Sequence, residues 1–269
     1  MTAAQPALFV PHGAPTVALR PGAAGAALAA TARTLARPRA IVIVSAHWDT
    51  ATPTVGFADR PETIHDFWGF PEALYALRYP ATGCCEAANE VVAALEAAGL
   101  PVQRDEQRGL DHGAWIPLRL MFPDADVPVI PLSIQSRGGS PAAYRLGLAL
   151  APLAARGFLV IASGNITHNL GDFQRVGRSG GQTPAYVREF ADWMADRLAA
   201  RDLPALLDYR RQAPGAVQAH PTDEHLLPLY VALGAGGEPA RIERFHAGID
   251  DYVLAMDAYA FLPDERGDS

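Results

Sequence analysis

The sequence predicts an α/β fold: one domain on a central, mainly parallel mixed sheet flanked by helices, with antiparallel strands at its C-terminal end. Three observations carry this reading. Nearly uninterrupted apolar runs of strand length recur at 7–10, 40–45, 127–134 and 158–162, and runs apolar on both faces suit strands covered on both sides, as in a parallel sheet. Between them lie Ala- and Leu-rich stretches of helical period, and the alternation is that of strand and helix units. No repeat of about 20–50 residues and no Ser/Gly linker divides the chain, so 1–269 reads as a single unit.

In chain order, the strand at 7–10 is followed by a helix at 23–36, the strand at 40–45 and a weaker run at 54–57. A helix is predicted at 84–98, where Val91, Leu95 and Ala98 recur at spacings of four and three and form one packing stripe. The strands at 127–134 and 158–162 bracket a helix at 141–155, and further helices fall at 184–200 and 221–233. Pro141, Pro184 and Pro221 open three of these, because proline's missing N–H costs nothing in a helix's first turn. The Gly-rich segment 176–182 predicts a loop and a candidate flap over a site. Residues 241–261 alternate as an antiparallel hairpin turning near Gly248 and Asp250, which closes a sheet edge. The acidic end, 264–269, reads as solvated.

Composition narrows the function. Apolar residues make up 49% and charged residues 19%, against a background of about 45–50% and 25%, so disorder is excluded and the surface is thinly charged. The net charge is −7 and every basic residue is arginine. Without lysine there is no Schiff-base, P-loop or general-base lysine, and an acidic chain without an arginine cluster does not suit nucleic acid. The two cysteines, Cys84 and Cys85, are adjacent and cannot build a disulfide framework. No basic leader and no apolar stretch long enough for a membrane is visible, so a cytoplasmic protein is expected.

The eight histidines are the informative residues. His12 follows the strand at 7–10, His47 the strand at 40–45, and His168 comes shortly after the strand at 158–162. Ligands in an open parallel sheet gather at the carboxyl ends of strands, so these imidazoles are expected at one edge. His220 precedes Pro221 and sits at the entrance of the helix expected there. Imidazole is the commonest zinc ligand and a good one for iron. The expectation is one divalent metal held by His12, His47 and His220, with His168 a fourth ligand or a base beside it. A carboxylate from the segment Asp223-Glu224-His225 is the alternative to His220, and His225 itself reads as a helix-surface or supporting residue. His112 lies in a turn before the apolar run 116–122, and His65 lies in an aromatic-dense loop. No G-x-S-x-G, H-E-x-x-H or G-x-G-x-x-G motif competes.

The segments carrying these histidines are Phe9-Val10-Pro11-His12-Gly13-Ala14-Pro15, Ser45-Ala46-His47-Trp48, Ile64-His65-Asp66-Phe67-Trp68-Gly69-Phe70-Pro71, Leu110-Asp111-His112-Gly113-Ala114-Trp115, Ser163-Gly164-Asn165-Ile166-Thr167-His168-Asn169-Leu170 and His220-Pro221-Thr222-Asp223-Glu224-His225. In this order they resemble the class III extradiol ring-cleavage dioxygenases, specifically the DODA-type, DOPA 4,5-dioxygenase-like branch. The resemblance implies a metal centre of His12, His47 and His220, His168 at the reacting face, and a substrate or proton-relay role for His112. The protocatechuate-cleaving branch uses a glutamate as third ligand, where the matching position here reads His220.

The implied reaction opens a small aromatic diol with O2. Fe(II) would hold the diol beside dioxygen and conduct electrons between them, with His168 handling protons and His112 assisting. Zn(II) suits an all-histidine site but cannot supply the redox step. His65, Trp48 and Trp68 are the candidate substrate-binding residues, while Phe70 and Trp115 read as core. Neither nucleic acid nor membrane is an expected partner. Two rivals are a zinc-dependent hydrolase and a non-catalytic, Memo-like binding protein on the same fold.

Overall fold

Ile41-Val42-Ile43-Val44 and Phe158-Leu159-Val160-Ile161-Ala162 are buried almost completely, which requires cover on both faces of the strands that carry them. In the computed structural model, which describes residues 4–179, 181–237 and 241–263, the strands are β1 (Ala7–Pro11), β2 (Ala40–Asp49), β3 (Thr54–Gly56), β4 (Gln103–Asp105), β5 (Val129–Ile134), β6 (Phe158–Gly164), β7 (Arg241–His246), β8 (Ile249–Asp250), β9 (Leu254–Ala255) and β10 (Ala258–Leu262). Eight form one sheet in the order β4-β3-β5-β2-β6-β1-β10-β7, while β8 and β9 pair as a separate antiparallel ribbon. The central strands β5, β2, β6 and β1 are parallel. Beyond β1, β10 and β7 add antiparallel.

Two helix pairs cover this centre. Leu227–Ala235 packs on β6, β1 and β2 and against Gly139–Leu150, and His112–Met121 packs on β2 and β6 and against Gly22–Thr34. Each large apolar side chain so buried stabilises the fold by about 1.5–3 kcal/mol. No helix among the described residues is long and apolar enough to cross a membrane.

Helices at Gly22–Thr34, Cys85–Ala97, Gly139–Leu150 and Ala185–Ala199 match the sequence reading within a few residues at most ends. The helix expected to run to residue 155 stops at Leu150, where Ala151–Arg156 tightens into a 3-10 turn closed by left-handed Gly157. Two helices of 10 residues each were not expected. His112–Met121 contains Pro117, which obscures its periodicity, yet Asp111 caps it by accepting from the Ala114 N–H. Leu170–Ser179 carries Gly171 and Gly177 and begins where the Asn169 side chain accepts from the Asp172 N–H at 3.0 Å. It includes residues 176–179 of the expected flap, and residue 180 lies outside the described residues, as does the acidic end 264–269. The helix expected at 221–233 begins only at Leu227, with Pro228 rather than Pro221 in its first turn, so 221–226 form turns. The expected hairpin forms as β7 and β10, with the β8–β9 ribbon inserted between them.

Register positions the functional edge. Val10 pairs with Ser163, and Ser163 with Ser45, so these three stand in one row across β1, β6 and β2. His12 and His47 each lie two residues beyond that row and share its face.

Asp111 joins fold to site. It is 3% exposed, caps the helix His112–Met121, accepts from Ser45 Oγ and pairs with Arg108. Asp111→Ala removes the cap and strands two buried donors, which should destabilise by about 2–3 kcal/mol, read as a fall of roughly 5–10 °C in the thermal midpoint. Asp111→Asn keeps an acceptor for the cap and should fall by clearly less.

Candidate metal centre

His12 follows β1 directly, its N–H donating to Gly164 O at 3.3 Å. His47 lies in the far end of β2, its N–H donating to Ser45 Oγ at 3.2 Å. A third imidazole, His225, comes from the turn ahead of Leu227–Ala235. The Asn165 N–H donates to His225 O at 2.9 Å, and a Cβ on Gly164 would stand 2.1 Å from that same oxygen, so only glycine admits the turn. Asn165 Oδ1 accepts from the Gly13 N–H at 3.2 Å, tying the His12 segment to the His225 turn.

Nε2 of His47 lies 3.2 Å from Nε2 of His12 and 3.3 Å from Nε2 of His225. The three ring centroids are 5.0, 4.9 and 5.3 Å apart, nearly an equilateral triangle. Their other nitrogens face outward: His12 Nδ1 lies 2.9 Å from Ser163 Oγ, His47 Nδ1 3.5 Å from Asp66 Oδ2 and His225 Nδ1 3.1 Å from Glu224 Oε1. A carboxylate only accepts, so the His225 ring, at hydrogen-bond distance from Glu224, carries its proton on Nδ1 and bares its Nε2 lone pair, and the nearby Asp66 carboxylate favours the same form of His47. Lone pairs converging at this spacing repel unless a cation lies among them. Two nitrogens each about 2.1 Å from one ion at the tetrahedral angle stand roughly 3.4 Å apart, so the donor set fits a metal.

His112 joins the group at looser spacing. Donor nitrogens of His12, His47 and His112 all lie within 4.8 Å of one another, a set that could also hold a metal ion. The His112 ring lies 4.0 Å from that of His47, and Phe67 stands edge-on to it at 5.6 Å. Gly113 is needed for this approach, since a Cβ there would lie 2.8 Å from His47 Cδ2. His168, Glu224 and His225 form a second group of the same looseness. His168 and His225 are stacked at 3.4 Å and 7° from parallel, however. Their lone pairs lie in near-parallel ring planes, which do not meet at one ion as those of the tilted His12, His47 and His225 rings do.

The structure therefore brings together His12, His47, His112 and His168 of the expected residues, but not His220. His220 is fully buried, its Nε2–H donates to Ile166 O at 2.7 Å and its ring lies against Phe190. That nitrogen is spent on the backbone. His65 sits one ring further out, behind Phe67, with Nε2 3.1 Å from Leu77 O. Trp48 is buried beneath the Arg108 guanidinium, and Trp68 is 86% exposed. Trp115 is core, as expected, its indole N–H donating to Ile64 O at 3.1 Å. Sequence reasoning missed Asp66 and Ser163, offered Glu224 only as an alternative metal ligand and read His225 as a helix-surface or supporting residue. The available signal was Pro228, which moves the helix start beyond His225.

Burial disfavours the charged form of His12, His47, His168, His220 and His225. It pushes His12 and His225 well below the usual histidine range, helped by neighbouring imidazoles. It lowers His47 and His220 to about 4 and His168 to about 3, with His112 adding to the shift at His47 and His220 to that at His168. For Asp66, burial would raise the carboxyl, but the His112 side chain and N–H and the His47 ring outweigh it and hold it at about 2.

The family described as the catalytic LigB subunit of aromatic ring-opening dioxygenase matches residues 7–254. A 4,5-DOPA dioxygenase extradiol of Beta vulgaris is 41% identical over 226 residues, covering 84% of this chain and 83% of that protein. One of Escherichia coli K12 is 40% identical over 245 residues, covering 88% of both. The crystal structure of an uncharacterized protein from Escherichia coli K12 superposes with a TM-score of 0.78 at 31% identity, covering 96% of this chain and 99% of the other.

A pH dependence follows from the neutral rings. The unfolded chain binds protons on these histidines below about pH 6.5, whereas folded His47 and His220 do so only near 4 and His168 near 3. Stability is thus complete above pH 6.5 and falls as pH drops below it, by up to about 1.4 kcal/mol per pH unit for each ring. Three rings over two units approach the whole stability of a domain, about 5–15 kcal/mol. Metal-free protein should unfold cooperatively near pH 5 in circular-dichroism melts taken between pH 8 and 4. Equal midpoints at pH 7.5 and 4.5 would contradict neutral burial.

Proposed function

We infer that this chain, which belongs to the family of catalytic LigB subunits of aromatic ring-opening dioxygenases and is an extradiol ring-opening dioxygenase, holds one divalent non-haem metal ion and cleaves a catechol of the DOPA type with O2. The ligands we assign are His12, His47 and His225. The observation that carries this is the convergence of their Nε2 atoms at 3.2 and 3.3 Å while their Nδ1 atoms face Ser163, Asp66 and Glu224. Polar groups behind the ligand rings fix ring orientation and donor strength. The DOPA-type substrate rests on the names of the similar proteins.

When bound, the ion supplies positive charge that acidifies the diol hydroxyls and, as iron(II), an electron path from ring to dioxygen. The chain's residues do the rest. His168, half-buried and stacked on His225, is neutral near pH 7 and so accepts a hydroxyl proton. Because its ring is stacked flat on that of His225, we place it beside the ligand set rather than within it. His112 flanks the opposite side through His47. Phe67, edge-on to His112 and 8% exposed, walls that side against water. Trp68, on the exposed side of the same loop, is the aromatic surface available to an incoming ring.

His220 acts on the backbone. Its Nε2–H holds Ile166 O, while the His168 N–H donates to Ala219 O at 2.9 Å, so the two segments that carry His168 and His220 are stapled together.

Substitution separates these roles. His225→Ala should weaken zinc binding by about 100-fold or more, whereas His220→Ala should keep one metal per chain and lose thermal stability, both read by titration and melting. The reverse pattern would restore His220 to the ligand set. His168→Ala should keep the metal and lower turnover by about 10²–10⁴-fold. Oxygen uptake with a catechol should need iron and be absent with zinc. Equal rates with both metals would count against ring cleavage.

A further inference from the structure

Asp66 belongs to a loop whose sequence announces aromatic residues, yet the structure turns its carboxylate inward between two histidines of the centre. Oδ2 lies 3.0 Å from His112 Nδ1 and 3.5 Å from His47 Nδ1. Oδ1 accepts from the His112 backbone N–H at 2.8 Å, which pins the carboxylate at the first turn of His112–Met121. We propose that Asp66 is a positioning residue that sets which nitrogen of both His47 and His112 faces the reacting side, making one a ligand and the other a proton acceptor. The proposal rests on the metal-centre reading above and deepens it.

The argument is one of donors and acceptors. An ionised carboxylate offers only lone pairs, and a neutral imidazole has one N–H and one lone pair. With Nδ1 turned to Asp66, the attractive arrangement puts the proton on Nδ1, and the opposite tautomer sets lone pair against lone pair. Both rings therefore bare Nε2. In His47 that nitrogen is the one 3.2 and 3.3 Å from its neighbours in the triangle. In a neutral His112 ring the same logic leaves the lone pair on Nε2.

Neither ring has an easy alternative. His112 is packed between the His47 ring at 4.0 Å and Phe67 at 5.6 Å, and Gly113 lies against His47. The His112 contact is close but bent away from the ring's N–H direction, since Nδ1 finds no well-aligned partner. Oδ2 thus lies between the two rings and favours neither by geometry alone. The neighbouring carboxylates are committed elsewhere, Asp111 to Ser45, Arg108 and the helix cap, and Glu224 to His225 and Thr222. Asp66 itself faces the Nδ1 side of both rings, away from the convergence of Nε2 atoms, which argues against its being a ligand.

The test reads tautomers directly. In metal-free protein carrying ¹⁵N-labelled histidine, long-range ¹H–¹⁵N correlation at pH 7.5 should show Nδ1 protonated and Nε2 unprotonated in both His47 and His112. Asp66→Asn presents an amide that can turn its NH2 toward the rings, and should move at least one of them to the Nε2–H form. It should also weaken zinc binding about 10–100-fold. An unprotonated Nδ1 on His47 or His112 in the unsubstituted protein would overturn the proposal, and so would Asp66→Asn with unchanged nitrogen shifts and unchanged zinc affinity. The spectrum of the unsubstituted protein decides the tautomers even where the variant does not fold. Failure of that protein to bind zinc would sink the metal-centre reading, with the nitrogen shifts still deciding the role of Asp66.

Discussion

The constraint on which the rest depends is that three imidazole lone pairs must point at one place in an interior that does not tolerate imidazolium. Burial, helped by the neighbouring imidazoles, keeps the rings neutral, as the depressed pKa values of His12, His47 and His225 record. Neutrality by itself would leave the proton free to choose either nitrogen. Asp66 and Glu224, which can only accept, bias that choice for His47 and His225 from outside, while the Ser163 hydroxyl meets His12 Nδ1 and serves either form. An unpartnered buried polar group costs about 1–3 kcal/mol, so each outward contact both stabilises the fold and aims a ligand.

The sheet supplies the precision. β1, β6 and β2 are adjacent and parallel, so the row Val10, Ser163, Ser45 holds the start of the His12 and His47 segments in register without any loop between them. Side chains on strand ends are placed more accurately than those on long loops. The remaining member, His225, comes from turns, and those turns are seated on the end of β6 through Gly164 and Asn165. The one contributor from outside the strands is thereby referred back to the same sheet edge.

Much of this was legible in the residues. Uninterrupted apolar runs located the four central strands because parallel strands are buried on both faces, and strand ends located His12, His47 and His168 because the alternation implied a parallel sheet. What was not legible has physical reasons. β4 is three half-buried to exposed residues paired at an edge, with no apolar pattern to read. His112–Met121 hid behind Pro117, and its stability comes from burial on nearly every side rather than from an amphipathic stripe. Asp66 could not be ranked among the 29 acidic residues, since its importance lies in which ring nitrogens it faces across the fold.

The exchange of His225 for His220 shows how such an error arises. Both lie within Ala219–Leu226, and both precede residues that can open a helix, so the pattern alone admits either. The backbone decides. Ile166 O, in the loop that leaves β6, accepts from His220 Nε2–H at 2.7 Å; the lone pair left on His220 Nδ1 is buried without a partner and joins neither group of converging donors. His225, whose Nδ1 is turned to Glu224, has its lone pair on the other nitrogen, facing His47. On that assignment the parallel stack of His168 on His225 at 3.4 Å sets the His168 ring beside the proposed third ligand. A substrate oxygen bound next to His225 would therefore meet a neutral base at its side, so ligand and base are positioned by one packing contact.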